Sequence, residues 1–437
     1  MPNGSPVVIL GAGLTGLSAA CHLRVPYRLL EKSTHVGGLC VTEWEQGYGF
    51  DRTGHLLHLR DPSIRSWILS LLGEEPLQIQ RCSRIWSCGR YTRYPFQANT
   101  FGLPPDVARQ CLLGFLRARE AEQERERKGN AGPATNFEEF ILRFMGEGIA
   151  RHFMVPYNTK LWGVPPAQMS AAWTDRFVPR PTVDEVVAGA VGCNDQELGY
   201  NAQFYYPRQG IGVLPQALAG QVQVELNKIP KKIDLATRQI HMADGTESVS
   251  YERLISTIPL DRLFAVIDGL PPAVTEAVER LRVTSLYYLD IAFKRPTPRE
   301  DLHWVYVPEE KYPFYRVGLY SNFSSALVPT GGASMYVELA SRQRPDLDSL
   351  LPSVLDGLQE MGLVRGPDDV AFVRLRHLPH AYVIYDQAYR ESLDVLHPFL
   401  AEQGIFSRGR YGSWEYSAME DALRAGREVA RVVEEDL

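Results

Sequence analysis

Gly11, Gly13 and Gly16 follow an apolar run, Val7–Leu10, and Glu31 stands twenty residues after the first of them. Residues of these types at this spacing bind the diphosphate of a dinucleotide. Gly11 permits the tight turn off a strand, Gly13 lets the backbone approach the pyrophosphate, and Gly16 lets the following helix pack on that strand. The start of the helix offers free N–H groups and the positive end of its dipole to the phosphates. An acid at Glu31 can accept hydrogen bonds from both ribose hydroxyls. A glycine-rich turn alone is a weak signal; here strand, helix, acid and spacing agree.

The elements that must position these residues are a strand, a turn, a helix and a second strand, Tyr27–Leu30. Gly37 and Gly38 follow Glu31 six residues later. This pair resembles the extra Gly-Gly that many flavoproteins set beside the same diphosphate, which points to FAD rather than NAD. A chain of 437 residues exceeds one simple core, so two or three lobes are expected. Apolar content of 45% with 22% charged residues fits a soluble globular protein. A net charge of −6 gives no general affinity for nucleic acid or acidic membrane, although the 46 basic residues can still gather in a pocket. Six cysteines lack any CxxC spacing, so neither a zinc site nor a disulfide framework is expected and a reduced, cytoplasmic location follows. Val7–Ala20 lacks a basic leading region and is too short to span a bilayer.

Further along, Gly47–Asp51 reads as a strand running into the turn Thr53-Gly54-His55. Pro104-Pro105 opens a helix that ends in the charged run Arg117–Lys128, and the loop 129–133 breaks it. Asn136 with Glu139 is a capping-box pattern opening the next helix. Val222–Glu225 alternates as a strand would, Asp244-Gly245 signals a hairpin, and segments near 284–296, 303–308, 314–320 and 334–340 read as strands. Met419–Leu437 reads as an amphipathic helix. The expected fold class is α/β. A Rossmann-type FAD-binding domain takes residues 1–75, 200–265 and 395–437. A mixed or antiparallel-sheet substrate domain takes 76–103 and 266–394, and a helical substrate-side domain takes 104–199.

Four motifs carry a resemblance that runs nearly end to end: Tyr94-Pro95-Phe96-Gln97, the run Pro156–Trp162, Pro313-Phe314-Tyr315-Arg316, and the run Gly409–Tyr416. As a set they resemble the UDP-galactopyranose mutase family, its eukaryotic-type branch in particular. That family lies within the FAD-dependent amine-oxidase and protoporphyrinogen-oxidase-like superfamily. The resemblance implies an isomerase that interconverts UDP-galactopyranose and UDP-galactofuranose, or a closely related NDP-hexose, with no net redox change. Reduced FAD acts there through N5 as nucleophile on the anomeric carbon, and NAD(P)H is the expected reductant. The alternative is a true oxidase or dehydrogenase of the amine-oxidase or protoporphyrinogen-oxidase type, for which the N-terminal unit alone would serve equally well. A homo-oligomer is left open.

By the same resemblance Arg176 and Arg316 hold the diphosphate, where guanidinium forks suit phosphate oxygens; structural salt bridges are the other reading. Tyr382 and Tyr416 add uncharged hydroxyl donors. Tyr94, Phe96 and Gln97 form the uracil site, one aromatic stacking on the base and the amide meeting its edge. Asn158 and Trp162 lie on the ribose side, although Trp162 reads nearly as well as a packed core residue. Asn201, Trp304 and Tyr306 fall on the sugar and nucleotide side. His55 sits beside the isoalloxazine with Gly54; a metal pair with His58 lacks supporting ligands. The remaining cofactor contacts are Leu14, Thr15, Lys32, Leu39 and Val224, together with Gly409, Arg410 and Met419, the last at a helix N-terminus that favours an anionic reduced flavin. Three features depart from the family. Thr53 stands where glycine is usual and restricts a loop that responds to flavin reduction. Glu420 puts an acid near the nucleotide, repulsive unless paired, and its Met-acid ending is more like the bacterial branch. The chain also lacks insertions of eukaryotic members.

Overall fold

The computed structural model describes residues 7–130, 132–174, 178–193, 202–245 and 247–437. Arg176 and Asn201 lie outside them. Two sheets organise the chain. In chain order their strands are β1 (Val7–Leu10), β2 (Tyr27–Leu30), β3 (Ser83–Ser87), β4 (Arg90–Arg93), β5 (Arg253–Ser256), β6 (Val283–Phe293), β7 (Trp304–Tyr306), β8 (Phe314–Leu319), β9 (Ala333–Leu339), β10 (Val370–Val383) and β11 (Ile405–Ser407). The helices used below are α1 (Leu14–His22), α2 (Pro105–Arg127), α3 (Phe137–Ile149), α4 (Val155–Trp162), α5 (Val183–Val191) and α6 (Met419–Asp436).

The first sheet is all parallel, in the order β11-β5-β1-β2. Its central strand reads Val-Val-Ile-Leu and every residue is buried, as a parallel strand covered on both faces requires. α6 lies against α1 so closely that a Cβ on Gly426 would sit 2.3 Å from the Thr15 carbonyl oxygen. Ser18 Oγ donates to the Leu423 carbonyl across the same contact, at 2.6 Å. The C-terminal helix thus closes the unit opened by the N-terminal glycines. Val222–Glu225, expected as a strand, forms only a single bridge at Glu225 to Leu30, because no second partner extends the ladder.

The second sheet runs β10-β6-β9-β8-β7-β3-β4 and is antiparallel except where β7 meets β3. One face is apolar: Val305, Val317, Val337 and Ile291 pack on Val354 and Leu358 of the helix Leu347–Glu360. The other face carries the polar and aromatic side chains, so the strand alternation separates core from site. Helices α2 to α5 flank that face. α2 and α3 cross at glycines; a Cβ on Gly146 would lie 2.2 Å from the Gly114 carbonyl oxygen. A buried Glu122–Arg143 pair, 2.5 Å apart, locks them, and Arg143 also holds the Gly132 carbonyl at 2.9 Å, pinning the loop after α2. Asn136 caps α3 by accepting from the Glu139 N–H at 2.9 Å, but Glu139 reaches back to Thr135 rather than to Asn136. All six cysteines are free thiols. Among the described residues no helix is long and apolar enough to cross a membrane.

Candidate active site

The glycine turn has the shape its spacing predicts. Gly11 has φ +98°, and a Cβ on Gly16 would lie 1.9 Å from the Gly11 carbonyl oxygen, so only glycine lets α1 start there. Around Gly13, which precedes α1 and gives it no side-chain cap, a Cβ would meet nothing within 4 Å. That open backbone, with the uncapped start of α1, is a cradle a phosphate pair can fill. Gly37 joins it, its N–H donating to the Ala12 carbonyl at 2.8 Å. Glu31 ends β2 with one carboxylate oxygen taking the Ala12 N–H at 2.7 Å and the other the Ser33 N–H at 2.9 Å. Val224 lies beside this end of β2, since Glu225 pairs in the backbone with Leu29 and Glu31. Lys32 and Gly38 are exposed, Leu14 and Thr15 are buried in the first turn of α1, and Leu39 is half-buried after Gly38.

The loop from Asp51 to His55, expected beside the flavin, is tightly held. Tyr320 OH donates to the Asp51 carbonyl at 2.6 Å, and Asp51 itself is buried between Thr42 Oγ1 and Tyr206 OH, each at 2.6 Å. Burial pushes the Asp51 carboxyl up to about 7. Thr53 adopts φ +69°, a conformation a β-branched residue resists. Gly54 admits the Tyr336 hydroxyl, which a Cβ there would meet at 2.4 Å. His55 presents a buried Nδ1 with no hydrogen-bond partner among the described residues. Burial, with Arg410 nearby, lowers its pKa to about 4, so the imidazole is neutral at physiological pH. An orphaned ring nitrogen in this loop, together with the open glycine cradle, fits a bound flavin. His58 is separate; its Nδ1 lies 3.0 Å from the Gln203 carbonyl oxygen.

Arg410 and Met419 approach from the C-terminal side. Gly409 has φ +82° and sits against Thr15, whose Oγ1 would be 2.4 Å from a Cβ at that position. Arg410 donates to the Ser417 and Ala381 carbonyls at 2.8 and 3.0 Å, and its guanidinium stands 4.8 Å from the centre of the Tyr416 ring. Met419 opens α6 and its sulphur faces Cys40 Sγ at 3.5 Å. Glu420 does not face a phosphate unpaired: its Oε1 accepts from the backbone N–H groups of Arg60 and Asp61 at 2.5 and 2.7 Å. The acid therefore ties α6 to the entry of the helix Pro62–Leu72.

On the second sheet, Tyr306, Arg316 and Glu338 are successive cross-strand neighbours, and Trp304, Gly318 and Tyr336 form the next row. Gly318 is required there, because a Cβ would lie 2.0 Å from the Tyr336 ring. Arg316 is clamped by the fully buried Glu338 through two bonds, Nε to Oε2 at 2.9 Å and Nη2 to Oε1 at 2.6 Å. Nη2 also reaches Tyr382 OH at 3.3 Å. Burial opposes the Arg316 charge, but the Glu338 carboxylate outweighs it and raises the pKa well above normal. The salt-bridge reading and the ligand reading of Arg316 are thus compatible: one edge is held, and Nη1 bonds to no described residue. Tyr382 stacks on Tyr416, ring centres 6.1 Å apart, and Tyr94 on Tyr306 at 5.0 Å.

Other expected ligands are walls rather than open surfaces. Phe96 is fully buried and stacks on Phe153 at 5.0 Å, so packing takes the ring that was expected on a base. Trp162, 3% exposed, sits edge-on to Tyr382 and donates to Asn158 Oδ1 at 3.2 Å, as a packed tryptophan does. Asn158 spends its Nδ2 on the Met154 carbonyl at 2.7 Å, and Gln97 its Nε2 on the Pro179 carbonyl at 3.3 Å, leaving the Gln97 amide oxygen as acceptor. Residues not expected also enter: Glu338, Tyr336, Tyr157 and a buried Arg81, whose guanidinium lies 5.2 Å from the Tyr94 ring centre. A single acid inside the apolar run of β9 was the signal for Glu338.

The flavin containing amine oxidoreductase family matches this chain over residues 14–434. The chain belongs to that family. Its cofactor is accordingly FAD. Among solved structures it is similar to reduced UDP-galactopyranose mutase, with a TM-score of 0.90 and 28% identity over 99% of this chain and 96% of that one. A putrescine oxidase redesigned in its cofactor binding shares the fold, with a TM-score of 0.69 and 16% identity over 99% of each chain. A dTDP-fucopyranose mutase from Escherichia coli is 23% identical over 241 residues, 53% of this chain and 58% of that protein, so the match spans little more than half the relative's length.

Proposed function

We propose that this protein is a flavin-dependent sugar-nucleotide ring mutase, interconverting UDP-galactopyranose and UDP-galactofuranose or a closely related NDP-hexose. One observation carries the reading: the Arg316 guanidinium is clamped by Glu338 and reaches the Tyr382 hydroxyl, and the Tyr382 ring stacks on Tyr416, over which Arg410 stands, on the face that meets the loop carrying Gly54. A diphosphate leaving group needs fixed positive charge and oriented donors that do not reorganise during reaction. Glu338 fixes the fork, Tyr382 adds a neutral hydroxyl, and Arg410 bonds to carbonyls and to no carboxylate among the described residues. Arg176 is proposed as the second diphosphate arginine. Neutral His55 can accept or share a hydrogen bond through Nδ1 without repelling a cationic sugar centre. Bound FAD in its reduced form supplies N5 as nucleophile to the anomeric carbon. NAD(P)H is the proposed reductant and the cytoplasm the proposed location.

The oxidase reading is supported by the family match. Arg410, which bonds carbonyls and no carboxylate among the described residues, works against its amine-oxidase form, since an amine substrate would be repelled. UDP binding, read by saturation-transfer NMR and titration, separates the two. The mutase reading expects uracil and ribose contacts and at least a tenfold weaker Kd in Arg316→Ala; absence of UDP binding by the FAD-loaded protein contradicts it.

A further inference from the structure

Lys160 stands in the Pro156–Trp162 motif, and nothing above gives it a task. It lies on α4 and is only 9% exposed. Its ammonium donates to the Tyr312 and Phe314 carbonyls, each at 2.9 Å, to the Glu309 carbonyl, and at 3.5 Å towards that of Val307. No carboxylate among the described residues bonds it. All four oxygens belong to the connection between β7 and β8 or to its ends. β7 carries Trp304 and Tyr306, β8 carries Arg316, and α4 itself carries Asn158 and Trp162. One nitrogen therefore joins the helix to the hairpin that bears the diphosphate arginine. On the far side, Arg342 Nη2 takes the Lys160 carbonyl and, at 3.1 Å, that of Leu161, which ends α4 and fixes the lysine's backbone.

Resting on the mutase reading, we propose that Lys160 is a positioning residue of the nucleotide-sugar site: its ammonium latches the β7–β8 hairpin to α4 and sets where Arg316 and Tyr306 stand relative to Trp162. The latch needs the charged form. An ammonium brings three N–H groups to these oxygens, whereas a neutral amine brings two and leaves a buried carbonyl unpaired. The charged groups around it are Glu309, Glu310 and Lys311 of the hairpin and Arg342 beside α4. Burial draws Lys160 down to about 8 against the pull of Glu309 and Glu310. The latch therefore opens in mildly alkaline solution.

The test uses the FAD-loaded protein between pH 7 and 9.5. Hydrogen exchange of the segment 303–319, corrected for intrinsic rates, and UDP affinity are measured in the same buffers. The wild type is expected to lose protection and affinity together, tenfold or more, across pH 8; Lys160→Met is expected to be unprotected and weak-binding with a flat profile. A merely structural lysine would lower stability without that shared pH profile. Equal protection of the wild type on both sides of pH 8, or a variant as protected as the wild type, overturns the proposal. If Lys160→Met does not fold, the wild-type series decides alone. A wild type that binds no UDP at any pH contradicts the mutase reading, while the exchange profile still decides the latch.

Discussion

At the scale of single residues, Glu338 decides what Arg316 can do. Its carboxylate costs the site one unit of positive charge but removes the rotational freedom of the guanidinium, and in a leaving-group site orientation matters more than one further charge. Replacing Glu338 with Gln keeps the shape and loses the charge-assisted pair. The expected result is a loss of roughly tenfold to a hundredfold in kcat/KM, the range of a buried hydrogen bond to a charged group, with UDP affinity falling in parallel. Unchanged kinetics would show that the clamp is only a core contact. Thr53 is the residue whose backbone conflicts with its type, at φ +69°. A left-handed L-residue costs about 1–2 kcal/mol, while glycine returns about 0.5–1 kcal/mol in unfolded-state entropy. Thr53→Gly is therefore expected to leave the thermal midpoint unchanged or slightly raised. A fall would mean that the threonine side chain contributes more than its backbone costs. The motif marked Arg316 as a candidate diphosphate ligand; the identity of its partner was not legible, because cross-strand neighbours are set by register between segments far apart in the chain.

Among the elements, the contact of α1 with α6 governs the flavin site. Gly426 is the position that allows it, since a Cβ there would fall 2.3 Å from the Thr15 carbonyl oxygen. Gly426→Ala must displace α6, and with it Met419, Glu420 and the turn carrying Arg410. Overpacking of this kind costs about 1–3 kcal/mol. The expected phenotype is a folded protein purified with less FAD, measured by its absorbance ratio; full flavin occupancy would contradict this. The glycine turn was readable because each glycine answers a local constraint. The closing helix was readable as an amphipathic helix, but Gly426 was not, because its constraint comes from Thr15, at the other end of the chain. Phe96 and Trp162 show the same limit. Their motifs placed them at the site, yet whether an aromatic ring lines a pocket or packs behind it depends on Phe153 and Tyr382, which local sequence does not specify. Val222–Glu225 alternated like a strand and became a single bridge, since a ladder needs a second edge.

For the whole molecule, the buried histidines predict acid sensitivity. His303, buried, uses Nδ1 to accept the Cys82 N–H at 2.8 Å, so protonation converts an acceptor into a clashing donor. Burial lowers His55, His58 and His303 each to about 4. The unfolded chain binds these protons from about pH 6.5 downward while the folded chain refuses them, so stability falls with pH from about 6.5 to 4. His303→Asn, which keeps an acceptor at Oδ1, is expected to flatten part of that loss in denaturation curves taken at pH 7 and pH 5; an unaltered slope would contradict the assignment. Across the molecule, the α/β class and the FAD unit followed from spacing. The polar face of the second sheet did not, because it emerges only when β7, β8 and β9 align Tyr306, Arg316 and Glu338. That face beside the flavin loop is what makes a ring mutase the reading here. The direct test is anaerobic incubation of the reduced, FAD-loaded protein with UDP-galactofuranose, and in parallel with the furanose forms of related dTDP and UDP sugars. The account predicts catalytic conversion to the pyranose while the flavin spectrum stays that of the reduced form. No conversion of any sugar, together with reduction of the oxidised flavin by an amine, would contradict it.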